Sequence, residues 1–405
     1  MRSKDKRYDE HAKGRKKTMF AFILVGGMIL AAAAIFFVMG MQEERNSTTE
    51  GVKEKTNEEA TQHSDEMKEN EEAPPIEEEK EKPKDVRTSI TISAAGDFTI
   101  GTDELFGYAG SFVEEADKNG LGHFVGGLNN IFAEDDLTTV NLETTFTKAT
   151  QKADKKFRFK GDPSYVKILE MAGIEAVNLA NNHIHDYLQQ GYEDTITTLK
   201  NGQIGYFGYE HKYLKAVKGV NIGAVGYEGW RDDVDTRAEV SEGIRSLKDQ
   251  GVQIVVVHFH WGVERQYVPL ESQRSLAKFA IDSGADLIIG HHPHVVQGIE
   301  EYKDKFIVYS MGNFMFGGNR NPSDKDTFVF QQTFHLVNGT LTNEKEIQVV
   351  PFSISSLPNR NNYQPTLLTG QEAARVKNKI IDVSNQISGS DWLVYEKNGE
   401  SAKAE

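Results

Sequence analysis

Five histidines stand at the ends of two apolar runs, and their neighbours narrow the chemistry they can do. Val255-Val256-Val257 leads into His258-Phe259-His260-Trp261-Gly262, and Leu287-Ile288-Ile289-Gly290 leads into His291-His292-Pro293-His294. Three further apolar runs end at Gly96-Asp97, at Asn141-Leu142-Glu143 and at Asn181-Asn182-His183. Imidazole nitrogens, carboxylates and an amide oxygen are donors for a hard or borderline divalent metal. Residues two apart on a strand share a face, so His258 and His260 can reach one site, as can His292 and His294. His291 would face away from that second pair in ideal extended geometry, which Gly290 and Pro293 disturb. Asn182 can coordinate through its amide oxygen, and His183 can donate a proton to a leaving group. Asp186, three residues on, can orient His183. Trp261 and Glu264 would wall the entrance. Any one of these residues alone is more often structural; two histidine clusters beside acidic strand tips point to a metal site.

The elements that must position them read as alternating strands and helices. Strands are expected over 90–95, 137–142, 175–180, 222–227, 252–257, 286–289 and 306–309, and antiparallel strands over 327–336 and 346–352. Asp162-Pro163-Ser164 opens a helix reaching Met171, with Pro near the first turn. Further helices are expected over 191–200, 240–248 and 270–283. This alternation indicates a layered α/β fold. Side chains at the carboxyl ends of neighbouring strands in such a sheet meet in one crevice.

Composition bounds the rest. The chain has 405 residues, a formal net charge of -15 and no cysteine. The charge argues against nucleic acid as a partner, because no basic face meets phosphates. The absence of cysteine removes disulfides, a thiolate nucleophile and cysteine-ligated metal. Residues 1–17 are rich in Lys and Arg, and 18–42 are uncharged and mostly apolar, long enough to cross a bilayer. The apolar run continues past Ala31-Ala32-Ala33, which predicts an uncleaved anchor rather than a signal peptide. The basic flank precedes it, so the N-terminus is expected in the cytoplasm and the remainder outside the cell. Residues 43–87, dominated by Glu and Lys, are expected to be an acidic disordered linker. A folded domain is expected over 88–370, and a helical and charged tail over 371–405.

Taken in order, Gly96-Asp97, Asn141-Leu142-Glu143, Asn181-Asn182-His183 with Asp186, His260-Trp261-Gly262, Gly290 to His294 with Gln297, and Ser310-Met311-Gly312-Asn313-Phe314 resemble the CapA (PgsA) family of poly-γ-glutamate capsule biosynthesis proteins. The resemblance covers about residues 90–355. It implies a calcineurin-like metallophosphoesterase fold, a four-layer αββα sandwich with the metal site at the strand tips. It implies metal ligation by Asp97, Glu143, Asn182, His260, His291 and His294, with His183 as the catalytic imidazole beside Asp186. His258, His292, Trp261, Glu264 and Asn313 are supporting candidates. The wider superfamily opens with Asp-x-His, whereas Asp97 is followed by Phe98-Thr99. The implied cofactor is therefore one or two divalent ions, Mn, Fe or Zn.

Besides a cell-surface binding module with a residual fold, two classes of function remain open. One is a metal-dependent hydrolase acting on a phosphoester or on the amide of an anionic polymer. The other is a non-enzymatic subunit that binds or guides poly-γ-glutamate beside the membrane subunits of a capsule synthetase. No P-loop is present, so the chain is not expected to make the polymer from ATP by itself.

Overall fold

Strict alternation along the central strands builds two sheets that share one apolar interior. The computed structural model describes residues 85–397. Its strands are β1 (Arg87–Thr99), β2 (Thr102–Asp103), β3 (Leu137–Leu142), β4 (Thr145–Phe146), β5 (Phe159–Gly161), β6 (Ala176–Asn178), β7 (Gly205–Phe207), β8 (Tyr213–Val217), β9 (Val220–Gly229), β10 (Ile254–Trp261), β11 (Leu287–His291), β12 (Ile299–Tyr302), β13 (Lys305–Val308), β14 (Asn313–Phe316), β15 (Asp326–Val337), β16 (Thr340–Ser353) and β17 (Thr366–Leu367). The helices are α1 (Phe112–Asn119), α2 (Val166–Ala172), α3 (Leu188–Asn201), α4 (Val234–Asp249), α5 (Glu271–Asp282) and α6 (Gly370–Asn385).

One sheet runs β17-β16-β15-β1-β3-β6-β7, with β14 also paired to β1; the second runs β12-β13-β11-β10-β9-β8. The centres of both sheets are parallel, and antiparallel strands flank them. A small third sheet, β2-β5-β4, stands beside them. Ile90, Ile92, Leu137 and Ala176 of the first sheet pack with Ile222, Ala224, Ile254, Val256, Leu287 and Ile289 of the second. Phe98, Val140, Leu142, Val177 and Leu179 turn the other way and pack under α1, α2 and α3. Val225, Val255, Val257, Phe259 and Ile288 pack under α4 and α5. Helices therefore cover the outer faces of two stacked sheets.

The structure differs from the sequence expectations at several ends. Strand β10 runs through both histidines to Trp261 instead of stopping before them, and β1 continues past Asp97 across a bulge. Helix α1 and strands β7 and β8 carry short or weakly patterned segments and were not expected. Asp85, Val86 and Arg87, placed in the linker, are held to the Asn338 turn and the start of β1. Residues 371–397, within the expected helical and charged tail, send Val376, Ile380 and Trp392 into the inter-sheet cluster. The basic segment 1–17, the expected anchor 18–42 and the expected linker up to residue 84 lie outside the described residues. Among the described residues no helix is long and apolar enough to cross a membrane.

Candidate metal centre

The inward face of each central strand changes from apolar to polar along its length. On β3 the inward series is Leu137, Thr139, Asn141 and then Glu143; on β10 it is Ile254, Val256, His258 and His260; on β11 it is Leu287, Ile289 and His291. The period of two is that of an ordinary strand. The same alternation that makes the core thus delivers the polar side chains to one end of it, between the sheets.

Asp97 is fully buried there. Its Oδ1 accepts from Asn141 Nδ2 at 2.9 Å, and its Oδ2 from the His292 backbone N–H at 3.2 Å. His294 Nδ1 is 3.2 Å from Oδ2, and His291 Nδ1 is 3.2 Å from Oδ1 without making a hydrogen bond. Burial works against the Asp97 charge, but the His291 and His294 imidazoles outweigh it and hold the carboxyl below its usual range. Asn141 Oδ1 accepts from Asn178 Nδ2 at 3.0 Å and Asn181 Nδ2 at 3.2 Å, which fixes the amide that holds Asp97.

Glu143 is also fully buried, and neither of its carboxylate oxygens has a hydrogen-bond partner among the described residues. Three imidazole nitrogens surround Oε1: His260 Nε2 at 3.6 Å, His294 Nε2 at 3.7 Å and His183 Nε2 at 3.9 Å. Burial drives the Glu143 pKa up, with Asp97, Glu264 and Asp186 adding to the rise and His294 opposing it. Burial likewise opposes the charge on His294, but Glu143 and Asp97 raise its pKa to about 9. Burial lowers His258, His260 and His292, the last to about 3, so these rings are neutral and carry lone pairs.

Glu143, His292 and His294 each bring one donor atom within 4.8 Å of the others. His292, ranked only as supporting from sequence, is thus part of the cluster. Its Nδ1 is buried and unpaired. The extended geometry that would turn His291 away from His292 and His294 is broken by φ values of 96° at His292 and 56° at His294. Asn313 holds His294: its Oδ1 lies 2.9 Å from Nδ1. Asn182 Oδ1 accepts from His260 Nε2 at 2.9 Å, which places the two donor atoms side by side. Thr99, two residues after Asp97, stands in place of the histidine of the Asp-x-His pattern, and its buried hydroxyl has no partner among the described residues.

His183 forms the opposite wall. Its Nδ1 bonds Asp186 Oδ2 at 2.7 Å, which leaves Nε2 facing the crevice. Lys155 donates to Asp186 Oδ1 and to the Asn182 carbonyl, both at 2.6 Å, and Phe159 lies against the imidazole. Lys155 comes from an irregular loop, and no sequence signal marked it. Asn141 and Asn178 carried one: each lies two residues from a site residue or core residue on the same face.

Trp261 does not wall the entrance. The pleat that turns His260 inward turns Trp261 outward, where it stacks on Phe259 and donates to the Tyr309 carbonyl at 3.0 Å. Trp230, just past β9 and 40% exposed, takes the place at the rim, edge-on to His260 and His292. Glu264 is exposed on the loop after β10.

A family model described as bacterial capsule synthesis protein PGA_cap matches residues 91–318. The capsule biosynthesis protein CapA of Bacillus anthracis is 34% identical over 232 residues, which is 51% of this chain and 54% of that protein. The PGA biosynthesis protein CapA of Bacillus subtilis (strain 168) is 32% identical over 248 residues, 56% of this chain and 63% of that protein. The matched region therefore spans less than two thirds of either relative. A solved phosphatase structure from Mycoplasma pneumoniae aligns with 69% of this chain and 97% of its own at a TM-score of 0.42 and 13% identity.

Proposed function

Because the chain belongs to the family of bacterial capsule synthesis proteins, we propose that it takes part in poly-γ-glutamate capsule synthesis or export through a metal-dependent hydrolytic site. The observation that carries the site is Glu143, a buried carboxylate with two unpaired oxygens facing three imidazoles. A buried carboxylate without a partner is strongly destabilising, whereas coordination to a cation satisfies it. His291 Nδ1, which faces Asp97, and His292 Nδ1 are also buried without a partner among the described residues. Donors that share one ion at about 2.0–2.2 Å each stand roughly 3–4 Å apart, which is the spacing seen around Glu143 Oε1. Asp97, Glu143, Asn182, His260, His291, His292 and His294 would hold one or two such ions. Nitrogen and oxygen donors with no sulfur suit Mn, Fe or Zn. The layering of two sheets between helices, with donors at the strand tips, supports a calcineurin-like metallophosphoesterase architecture.

A bound divalent cation supplies Lewis acidity toward a substrate oxygen. The protein's own part begins at His183. Asp186 accepts a hydrogen bond from Nδ1–H, so Nε2 is presented to the crevice; once Nε2 takes up a proton from water, the imidazolium can pass that proton to a leaving group. Lys155 fixes Asp186 and the Asn182 carbonyl together, which keeps the donor wall and the acid wall in one register. The uncharged stretch 18–42 supports an anchored protein with this domain outside the cell, next to an anionic polymer and the membrane subunits of a synthetase.

Purified full-length protein should bind Mn and shorten poly-γ-glutamate or cleave a generic phosphodiester. Glu143→Ala should lose the metal, and His183→Ala should keep it but lose turnover. Wild type that takes up no Mn overturns the site. Mn binding without turnover of either substrate overturns the hydrolytic reading and leaves polymer binding as the role.

A further inference from the structure

His258 lies beneath the crevice and touches none of the Glu143 cluster, yet both of its nitrogens are engaged. Its Nε2 is 2.9 Å from Thr139 Oγ1 on β3, and its Nδ1 is 2.9 Å from His291 Nε2 on β11. The two imidazoles lie edge to edge and nearly coplanar, with centroids 5.1 Å apart and planes inclined by 15°. Phe207 closes the far side edge-on. His258 and Thr139 are fully buried and His291 nearly so. The line Thr139–His258–His291 therefore crosses from the first sheet to the second and ends at His291 Nδ1, which has no hydrogen-bond partner and faces Asp97.

A neutral imidazole has one donor nitrogen and one acceptor nitrogen. Two proton arrangements satisfy this line. In one, Thr139 donates to His258 Nε2, His258 Nδ1–H donates to His291 Nε2, and His291 carries a proton on Nδ1 toward Asp97. In the other, every donor reverses: His291 Nε2–H donates to His258 Nδ1, His258 Nε2–H donates to Thr139 Oγ1, and His291 Nδ1 is left with its lone pair in the crevice. Only the second offers His291 as a ligand.

We propose that His258 is a positioning residue, with Thr139 as its terminus, that holds His291 in the tautomer whose Nδ1 faces the metal. This rests on the metal reading above. His258 acts by accepting a hydrogen bond from His291 Nε2–H, and this bond between nearly coplanar rings fixes the ring plane. Its place on β10, two residues before His260, puts it one step deeper on the same inward face. Partners of this kind orient ligating histidines, and their loss typically costs about 10–100-fold in metal affinity.

The test is Mn affinity by calorimetry on the full chain, together with histidine nitrogen chemical shifts of the Zn-loaded protein. His258→Phe keeps a ring but removes both nitrogens, and should weaken Mn binding by about 10–100-fold. His258→Gln, whose amide oxygen can accept from His291 Nε2–H, should recover most of that loss. Thr139→Val, a smaller disturbance, should weaken binding in the same direction. With Zn bound, His258 and His291 should both be protonated on Nε2. Folded His258→Phe or Thr139→Val with wild-type Mn affinity overturns the proposal while leaving the metal site intact. So does a Zn-loaded His258 protonated on Nδ1. Wild type that binds neither ion overturns the metal reading, and the proposal with it.

Discussion

At the scale of single residues, Glu143 and His183 separate binding from chemistry. Glu143 is buried, and both oxygens lack partners. In metal-free protein it is a liability, since burial raises its pKa and penalises its charge. Glu143→Gln should therefore leave metal-free stability equal or higher, while removing the gain that metal gives. At an ion concentration of 100 times Kd that gain is about 2.7 kcal/mol for a single site. Thermal unfolding of both proteins with and without Mn checks it; a variant still stabilised by Mn would show that Glu143 is not a ligand. His183→Asn should behave oppositely. Removing a positioned general acid costs roughly 10²–10⁴-fold in rate. Metal affinity should hold, because His260, His292 and His294 still surround Glu143 and the His183 ring is held on the opposite wall by Asp186.

At the scale of elements, the site depends on how closely β6 and β9 approach. Gly226 on β9 faces Asn178 on β6, and a Cβ at Gly226 would collide with Asn178 Oδ1. Asn178 holds Asn141, and Asn141 holds Asp97. Gly226→Ala should thus act at a distance: about 1–3 kcal/mol of stability lost to overpacking, with weaker Mn binding through a displaced Asp97. Urea unfolding and calorimetry on the same variant check both; lost stability with unchanged affinity would break the link between the strands and the carboxylate. The strand-tip pattern behind this arrangement was legible in the sequence. Alternation in β3, β10 and β11 could be read directly, and it brought Glu143, His260 and His291 to one place. Alternation also held the correction that Trp261 faces outward, since it lies one residue from His260. Other features left no local mark. Lys155 arrives from a loop with no period, and His292 turns inward only because its φ is positive. The pairing of Thr139 with His258 spans 119 positions and depends on which strands of two separate sheets are stacked.

At the scale of the whole molecule, the crevice at one end is balanced by a second set of half-buried carboxyls around the start of β3. Glu175 Oε2 accepts from the Thr138 backbone N–H at 2.7 Å, and Asp135 Oδ2 accepts from the Thr138 hydroxyl at 2.6 Å. Burial raises Glu175 from 4.5 to about 7 and Asp135 from 3.8 to about 6. Both are acids that bind their protons more tightly folded than unfolded. Their contribution to stability is complete below about pH 4 and is lost as the pH rises through 6 and 7. A tenfold gain in proton affinity on folding is worth about 1.4 kcal/mol when unscreened. Both side chains are partly exposed, so solvent screening brings the pair to ~1–2 kcal/mol. Self-repulsion in a chain with a net charge of -15 at pH 7 works in the same direction. The two causes separate by mutation. Glu175→Gln combined with Asp135→Asn should flatten the fall in urea-unfolding free energy between pH 5 and 8, while removing only two of the chain's 61 acidic groups. Added salt should flatten whatever slope comes from repulsion. A double variant that keeps the wild-type slope in high salt would place the titrating groups elsewhere in the fold.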